Sequence, residues 1–228
     1  DRLTNNTVGA GMILEPTDRR GTGDHWGQHP VAGRFALKQS EILLSEREKR
    51  FGQKAATILL TGLTGSGKSA IAYALEKRLF DAGRAVTVLY GPNQRQGLSR
   101  DLGYTADDRS ENLRRSSEVA KILNDAGLLC ICAFVSPHAT VREKAKEVIG
   151  PERFLEVYLS APVEFCRQND VSGTYEQADT GRIASFPGVT AEYEAPKSAD
   201  LVLPTHQISI DQSVERIVEI LKQRGFIP

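Results

Sequence analysis

The chain has 228 residues, enough for one sizeable core and an appendage, and its 29 basic and 29 acidic residues cancel to a formal net charge of zero. No long basic run favours a nucleic-acid partner, no apolar stretch is long enough to span a bilayer, and with a polar start to the given sequence no signal peptide is expected. The three cysteines, Cys130, Cys132 and Cys166, form no disulfide-like framework or metal-ligand spacing, so a reducing compartment, the cytoplasm, is expected.

Residues 1–35 are polar and glycine-rich, and Arg19-Arg20-Gly21-Thr22-Gly23 reads as linker. His25 and His29 fall there and are expected to be solvated. Opening on Asp1 without Met, the chain is expected to be a piece of a longer one. Residues 38–50 predict a surface helix, with Ser45 available to start a second short one. From Thr57 the pattern alternates. Strands are predicted at 57–61, 85–90, 128–135, 154–160 and 200–204, and helices at 68–81, 110–125, 138–148, 162–168 and 213–224. Gly83 and Gly127 stand where two of those helices should stop. Alternating apolar strands and helices imply an α/β fold, a mainly parallel sheet covered on both faces, with ligands at the carboxyl ends of its strands. Residues 169–196 break the alternation and are long enough for a lid over a reactive site.

Between the first strand and helix lies Gly62-Leu63-Thr64-Gly65-Ser66-Gly67-Lys68-Ser69, which reads G-x-x-x-x-G-K-S. A chance glycine turn would not require a buried strand before it and a helix start after it; a phosphate-binding P-loop does. Glycines let successive N–H groups converge on one anion, and the helix N-terminus adds partial positive charge. Gly62 to Ser69, with Ala70, are therefore the expected triphosphate cradle. Lys68 is expected at the β/γ-phosphates, and the Ser69 hydroxyl on Mg²⁺.

Other candidates are more ambiguous. Arg95, after Tyr90-Gly91-Pro92-Asn93, is placed to hold an anion. Asp108 is a candidate helix cap. Arg109 and Asn112, one turn apart, either face one pocket or form part of a solvated, salt-bridged face. Ser136, ending the third strand, touches substrate or merely caps the helix at 138–148, and the residues alone favour the cap. Phe186 either places a ring on a base or closes the lid by apolar contact. Cys130 and Cys132 read as small buried side chains of a central strand.

Taken together these residues resemble adenylylsulfate kinase. The resemblance rests on Gly62–Ser69, Asn93-x-Arg95, Asp101-Leu102-Gly103-Tyr104, Asp108-Arg109-x-Glu111-Asn112-Leu113-Arg114-Arg115, Ala133-Phe134-Val135-Ser136-Pro137 and Tyr193-Glu194-Ala195-Pro196, in order from about residue 45 to residue 205. It implies a P-loop nucleoside triphosphate hydrolase fold with a lid over residues 36–228. It also implies transfer of the γ-phosphoryl of ATP, with Mg²⁺, to the 3′-hydroxyl of adenosine 5′-phosphosulfate, giving 3′-phosphoadenosine 5′-phosphosulfate. By resemblance, Asn93, Arg95, Arg109 and Asn112 hold that substrate, and Tyr104 and Phe186 clamp its adenine. Lys68 is catalytic, Ser136 matches a serine regarded as a phosphorylated intermediate, and the assembly is a homodimer. Residues 1–13 are similar to the end of the GTPase subunit of sulfate adenylyltransferase, which implies a fusion with that enzyme, residues 1–35 being its end and a linker.

The chain also departs from the family pattern. Tyr90-Gly91-Pro92-Asn93 stands where the family reads Asp-Gly-Asp-Asn, Ala139 where an arginine is common, and the lid has Glu176 and Asp179 in a stretch that commonly carries cations. Two expectations follow. Either the chain is an active kinase in which Asp101, Asp108 or Glu111 supplies the missing carboxylate, or it is a nucleotide-binding regulatory domain with impaired catalysis. A P-loop kinase for another small alcohol is a third reading.

Overall fold

The computed structural model describes Trp26 and residues 38–228. The expected linker at 1–35, with His25 and His29, lies outside the described residues apart from Trp26. The order of elements is α1 (Leu44–Phe51), β1 (Ala56–Thr61), α2 (Lys68–Asp81), β2 (Val86–Tyr90), α3 (Gly91–Gln94), α4 (Ala106–Asp125), β3 (Leu129–Ala133), α5 (Ala139–Ile149), β4 (Phe154–Leu159), α6 (Val163–Gln168), α7 (Thr174–Asp179), β5 (Leu201–Leu203) and α8 (Ile210–Gln223).

The five strands pair in parallel in the order β2-β3-β1-β4-β5. β1 is central and buried along its whole length, which is why its sequence is continuously apolar rather than alternating. Ile58 and Leu60 pack with Ile71, Leu75 and Leu79 of α2 and with Ile217 and Leu221 of α8. Leu59, between them, packs on the opposite face with Leu113 and Ala120 of α4 and with Ala145 and Ile149 of α5. Cys130 and Cys132 line that second face, buried as expected. The chain leaves β1 toward β2 and β3 on one side and reaches β4 and β5 on the other, so the switch point of the sheet lies at the carboxyl end of β1.

Helix boundaries differ from expectation where side chains cap the backbone. α1 is a single helix from Leu44, Glu46 accepting the Leu43 N–H at 2.7 Å, and Ser45 lies inside it. α4 starts four residues before the expected 110. Thr105 is its cap, its Oγ1 accepting the Asp108 N–H at 3.1 Å while Asp108 accepts from the Thr105 N–H, so Asp108 closes a capping box and is not the cap. α8 likewise begins at Ile210 behind Ser209. α2 and α4 end as expected before Gly83 and Gly127, at φ 76° and 89°. The segment 169–196 holds only the short α7 and one isolated bridge. Among the described residues no helix is long and apolar enough to cross a membrane.

Candidate active site

The glycine loop joins β1 to α2 at the switch point. A Cβ on Gly65 would lie 2.1 Å from the Cys166 carbonyl oxygen, and one on Gly62 would lie 2.7 Å from that of Leu159. The loop can follow this path only because both are glycine, each with positive φ. The loop is buttressed from outside: Tyr175 Oη donates to the Thr64 carbonyl at 2.9 Å and Thr205 Oγ1 to that of Ser66 at 2.9 Å.

Lys68 opens α2 and folds back into the loop. Its Nζ donates to the carbonyls of Gly62 at 2.9 Å and Leu63 at 2.6 Å, with the Ser66 hydroxyl at 3.4 Å. No carboxylate is among these partners. Burial pulls its ammonium down to about 7, Arg109 adds a smaller push the same way, and Cys166 opposes both. Ser69, half-buried in the first turn of α2, follows directly.

Facing this loop across the sheet end is an arginine–tyrosine stack. The guanidinium carbons of Arg95 and Arg109 lie 4.5 Å and 5.3 Å from the centre of the Tyr104 ring, which is 53% exposed. Arg95 is fixed by the Gly103 carbonyl at 3.0 Å, and Arg109 by that of Tyr104 at 3.0 Å. Arg109 is pushed down to about 10, chiefly by burial and then by Arg95. Such a pair gains most from an anion between the two cations. Arg109 also reaches the Ser185 carbonyl at 3.5 Å, which brings the segment 169–196 against α4. Asn112 is buried with its Oδ1 unpartnered. The salt-bridged face of α4 is formed by Arg114 and Arg115 with Glu111 and Asp101.

Phe186 is 2% exposed and packs edge-on against Tyr175, 4.8 Å between centres, in a cluster with Leu63, Cys166 and Ala178. This is an apolar contact between the segment 169–196 and the glycine loop. Asn93 lies in α3 and donates to the Tyr73 hydroxyl at 3.2 Å; Tyr73 in turn meets Tyr90 edge-on. Pro92 sits in the first turn of α3, where its fixed φ suits a helix start.

Ser136 is not a helix cap: α5 begins at Ala139 behind His138. Ser136 instead has φ 43°, the only positive φ outside glycine among the described residues, and its Oγ is buried without a partner. The expected substitute carboxylates are also otherwise engaged. Asp101 grips Arg115 through both oxygens at 2.6 Å and 2.8 Å. Glu111 binds Arg114 and Arg115; burial works against its ionisation, but the two arginines outweigh it and hold its carboxyl below the usual range. Asp108 serves the α4 cap. In the lid, Asp179 is paired with Arg167. Among the described residues no group of three or more His, Cys, Asp or Glu side chains is placed to hold a metal ion. The donor set still fits Mg²⁺, which keeps several waters and takes its other oxygens from phosphates, with Ser69 as the one protein hydroxyl.

The sequence model of the family described as adenylylsulphate kinase matches residues 54–204. The chain belongs to this family. The bifunctional enzyme CysN/CysC of Rhodopirellula baltica is 50% identical over 230 residues, which cover 100% of this chain and 35% of that protein. The adenylyl-sulfate kinase of Staphylococcus epidermidis is 43% identical over 188 residues, 82% of this chain and 94% of that protein. The chain thus spans about a third of the bifunctional relative and nearly all of the separate kinase. Among solved structures, the Mycobacterium tuberculosis APS kinase CysC in complex with AMPPNP and APS superposes with a TM-score of 0.71 at 39% identity, covering 75% of this chain and 99% of that one. A hexameric APS kinase from Thiobacillus denitrificans superposes with a TM-score of 0.59 at 26% identity over 81% of this chain and 32% of that one, so the expected homodimer is not uniform among similar proteins.

One residue beside the site had no sequence signal: Arg142, one turn beyond Ala139, which donates to the Ser136 carbonyl at 2.7 Å.

Proposed function

We propose that the chain transfers the γ-phosphoryl group of ATP to the 3′-hydroxyl of adenosine 5′-phosphosulfate. The observation that carries this reading is the placement of Lys68. It is a buried cation bonded only to neutral oxygens of a glycine loop, with Arg109 close enough to lower its proton affinity further. A polyphosphate reaching from the loop toward Arg109 would relieve both. The loop N–H groups and the α2 N-terminus bind the phosphates of ATP, and Lys68 follows the γ-phosphoryl group. Arg95 and Arg109 hold the phosphosulfate end of the acceptor, Tyr104 offers a face for its base, and Asn112 supplies an unpaired buried amide oxygen. Mg²⁺, when bound, would be held on the protein side by Ser69 and would supply neutralisation of the developing charge.

Asp101 and Glu111 are committed to arginines and do not serve the acceptor hydroxyl as spare carboxylates. A loose transition state tolerates this, because little bonding to the attacking oxygen precedes departure of the leaving group. The reading of an impaired regulatory domain, raised by Tyr90-Gly91-Pro92, finds no support in the site or in the similarity to separate kinases. By likeness to the bifunctional relatives, the chain acts beside a sulfate adenylyltransferase in one protein.

The test is a coupled assay with ATP, Mg²⁺ and adenosine 5′-phosphosulfate. Turnover well above a Lys68→Ala control is expected, and turnover equal to that control refutes the proposal. The combined Tyr90→Asp and Pro92→Asp variant should gain nothing; a gain of about tenfold or more, the size of a recovered transition-state contact, would restore the impaired reading.

A further inference from the structure

Arg142 on α5 is 4% exposed, and its polar contacts run to two backbone carbonyls and to the largely buried carboxylate of Glu156. Nη1 donates to the Ser136 carbonyl at 2.7 Å, Nη2 to the Glu194 carbonyl at 2.8 Å, and Nε lies 2.6 Å from Glu156 Oε1 on β4. Each of the three partners matters for a different reason. Ser136 holds a left-handed conformation that a serine rarely adopts, which persists only when its surroundings over-determine it. Glu194 lies near the far end of the segment 169–196. Its N–H donates to the Pro137 carbonyl at 2.9 Å, its carboxylate accepts the Ala139 N–H at 2.9 Å and meets His138 Nδ1 at 3.2 Å, and next to it Tyr193 Oη meets Thr61 Oγ1 at 2.9 Å. Glu156 anchors the cation to the sheet.

We propose that Arg142 is a positioning residue for phosphoryl transfer. One planar guanidinium locks the strained turn at Ser136 and, through the Glu194 carbonyl, ties the far end of the lid segment to the same turn, beside the last residue of β1. The inference rests on the kinase reading for its rate effect. Its geometry demands the fork of an arginine, since a lysine ammonium is a single point of charge that cannot span the Ser136 and Glu194 carbonyls while facing Glu156.

The test uses the full chain. Arg142→Lys keeps the charge opposite Glu156, and the combined Arg142→Met and Glu156→Gln variant removes both charges so that none is left buried alone. Both are expected to lower kcat by about tenfold to a hundredfold, the cost of a small misplacement at the reacting centre, while KM for ATP stays within about threefold. Rates are taken per folded molecule, from thermal melts of the same samples; a merely structural role would lower Tm and leave that rate unchanged, and this result overturns the proposal. A second readout is independent of turnover. Ser136→Gly removes the left-handed strain, so it should raise Tm more in the parent chain than in the Arg142→Met and Glu156→Gln background, where the turn has already relaxed. Equal shifts in both backgrounds overturn the clamp. A parent chain without turnover refutes the kinase reading, while the melting comparison still decides whether the clamp exists.

Discussion

Lys68 and Arg142 are both buried cations at the carboxyl end of the sheet, and the surroundings of each determine what it can do. Lys68 lies among loop carbonyls and a hydroxyl, and its affinity for a proton is lowered to about 7. Arg142 donates to two carbonyls and has a carboxylate oxygen 2.6 Å from its Nε. The first arrangement lacks a counter-charge until an anion enters, and the second already has one. A buried charge with only neutral partners therefore marks a ligand site, and one with matched partners marks a joint of the fold.

The largest effect that separates them is on rate. Lys68→Ala should lower kcat by about a thousandfold, in the upper range for losing one contact to a developing charge. Its effect on ligand-free stability should have the opposite sign to intuition. The folded value of Lys68 lies below the ordinary 10.5, so between 10.5 and about 7 the unfolded chain binds more protons, and stability falls as pH is lowered through that window. Below about 7 the penalty is complete and constant. At neutral pH, relief of this penalty, up to about 4 kcal/mol, should outweigh the lost carbonyl bonds, so Lys68→Met should raise the stability of the ligand-free protein. Arg142→Met should lower it by roughly 3–5 kcal/mol, because Glu156 is left buried and unpaired. Urea titration at neutral pH reads both, and shifts of the same sign would erase the comparison.

The contrast between these cations also shows what the sequence makes legible. The P-loop announces itself because its function is local: eight consecutive residues, an apolar run before and a helix after. The five strands were legible to within two residues, because burial on both faces makes β1 and β3 continuously apolar. Arg142 was not legible, since its partners come from the end of β3, from β4 and from residue 194, and no spacing along the chain brings them together. Ser136 was misread for the same reason: a serine before a helix looks like a cap, and only the fold shows it strained and uncapping. The early start of α4 was missed because Thr105 and Asp108, not apolar periodicity, set it. Asp101 and Glu111 looked like spare carboxylates until the folded helix α4 placed Arg115 between them.

A smaller effect reads the Lys68 proton directly. At pH 8 a group with a value of about 7 is only about one-tenth protonated in the ligand-free protein, and phosphate contact restores the charge. Binding of a nonhydrolysable ATP analogue should then take up about nine-tenths of a proton, measured by calorimetry in buffers of different ionisation enthalpy. Uptake should fall toward zero in Lys68→Met. Equal uptake in parent and variant would show that Lys68 is already charged before binding, and the two cations would differ less than their partners suggest.

The smallest expected effect concerns how a third cation, Arg109, is presented. It sits in the first turn of α4, its N–H bonded to the Thr105 carbonyl at 3.0 Å, and the Thr105 hydroxyl caps that turn. Thr105→Ala should cost about 1 kcal/mol, the ordinary worth of such a cap, and lower Tm by about 2–4 °C for a chain of this size. Fraying of that turn would loosen Arg109 and Tyr104 but leave the glycine loop alone. KM for adenosine 5′-phosphosulfate should therefore rise severalfold while KM for ATP holds. If the two constants rise together, the arginine–tyrosine stack and the P-loop form one mechanical unit. If only the acceptor constant moves, the acceptor side rests on the α4 cap as the nucleotide side rests on its glycines.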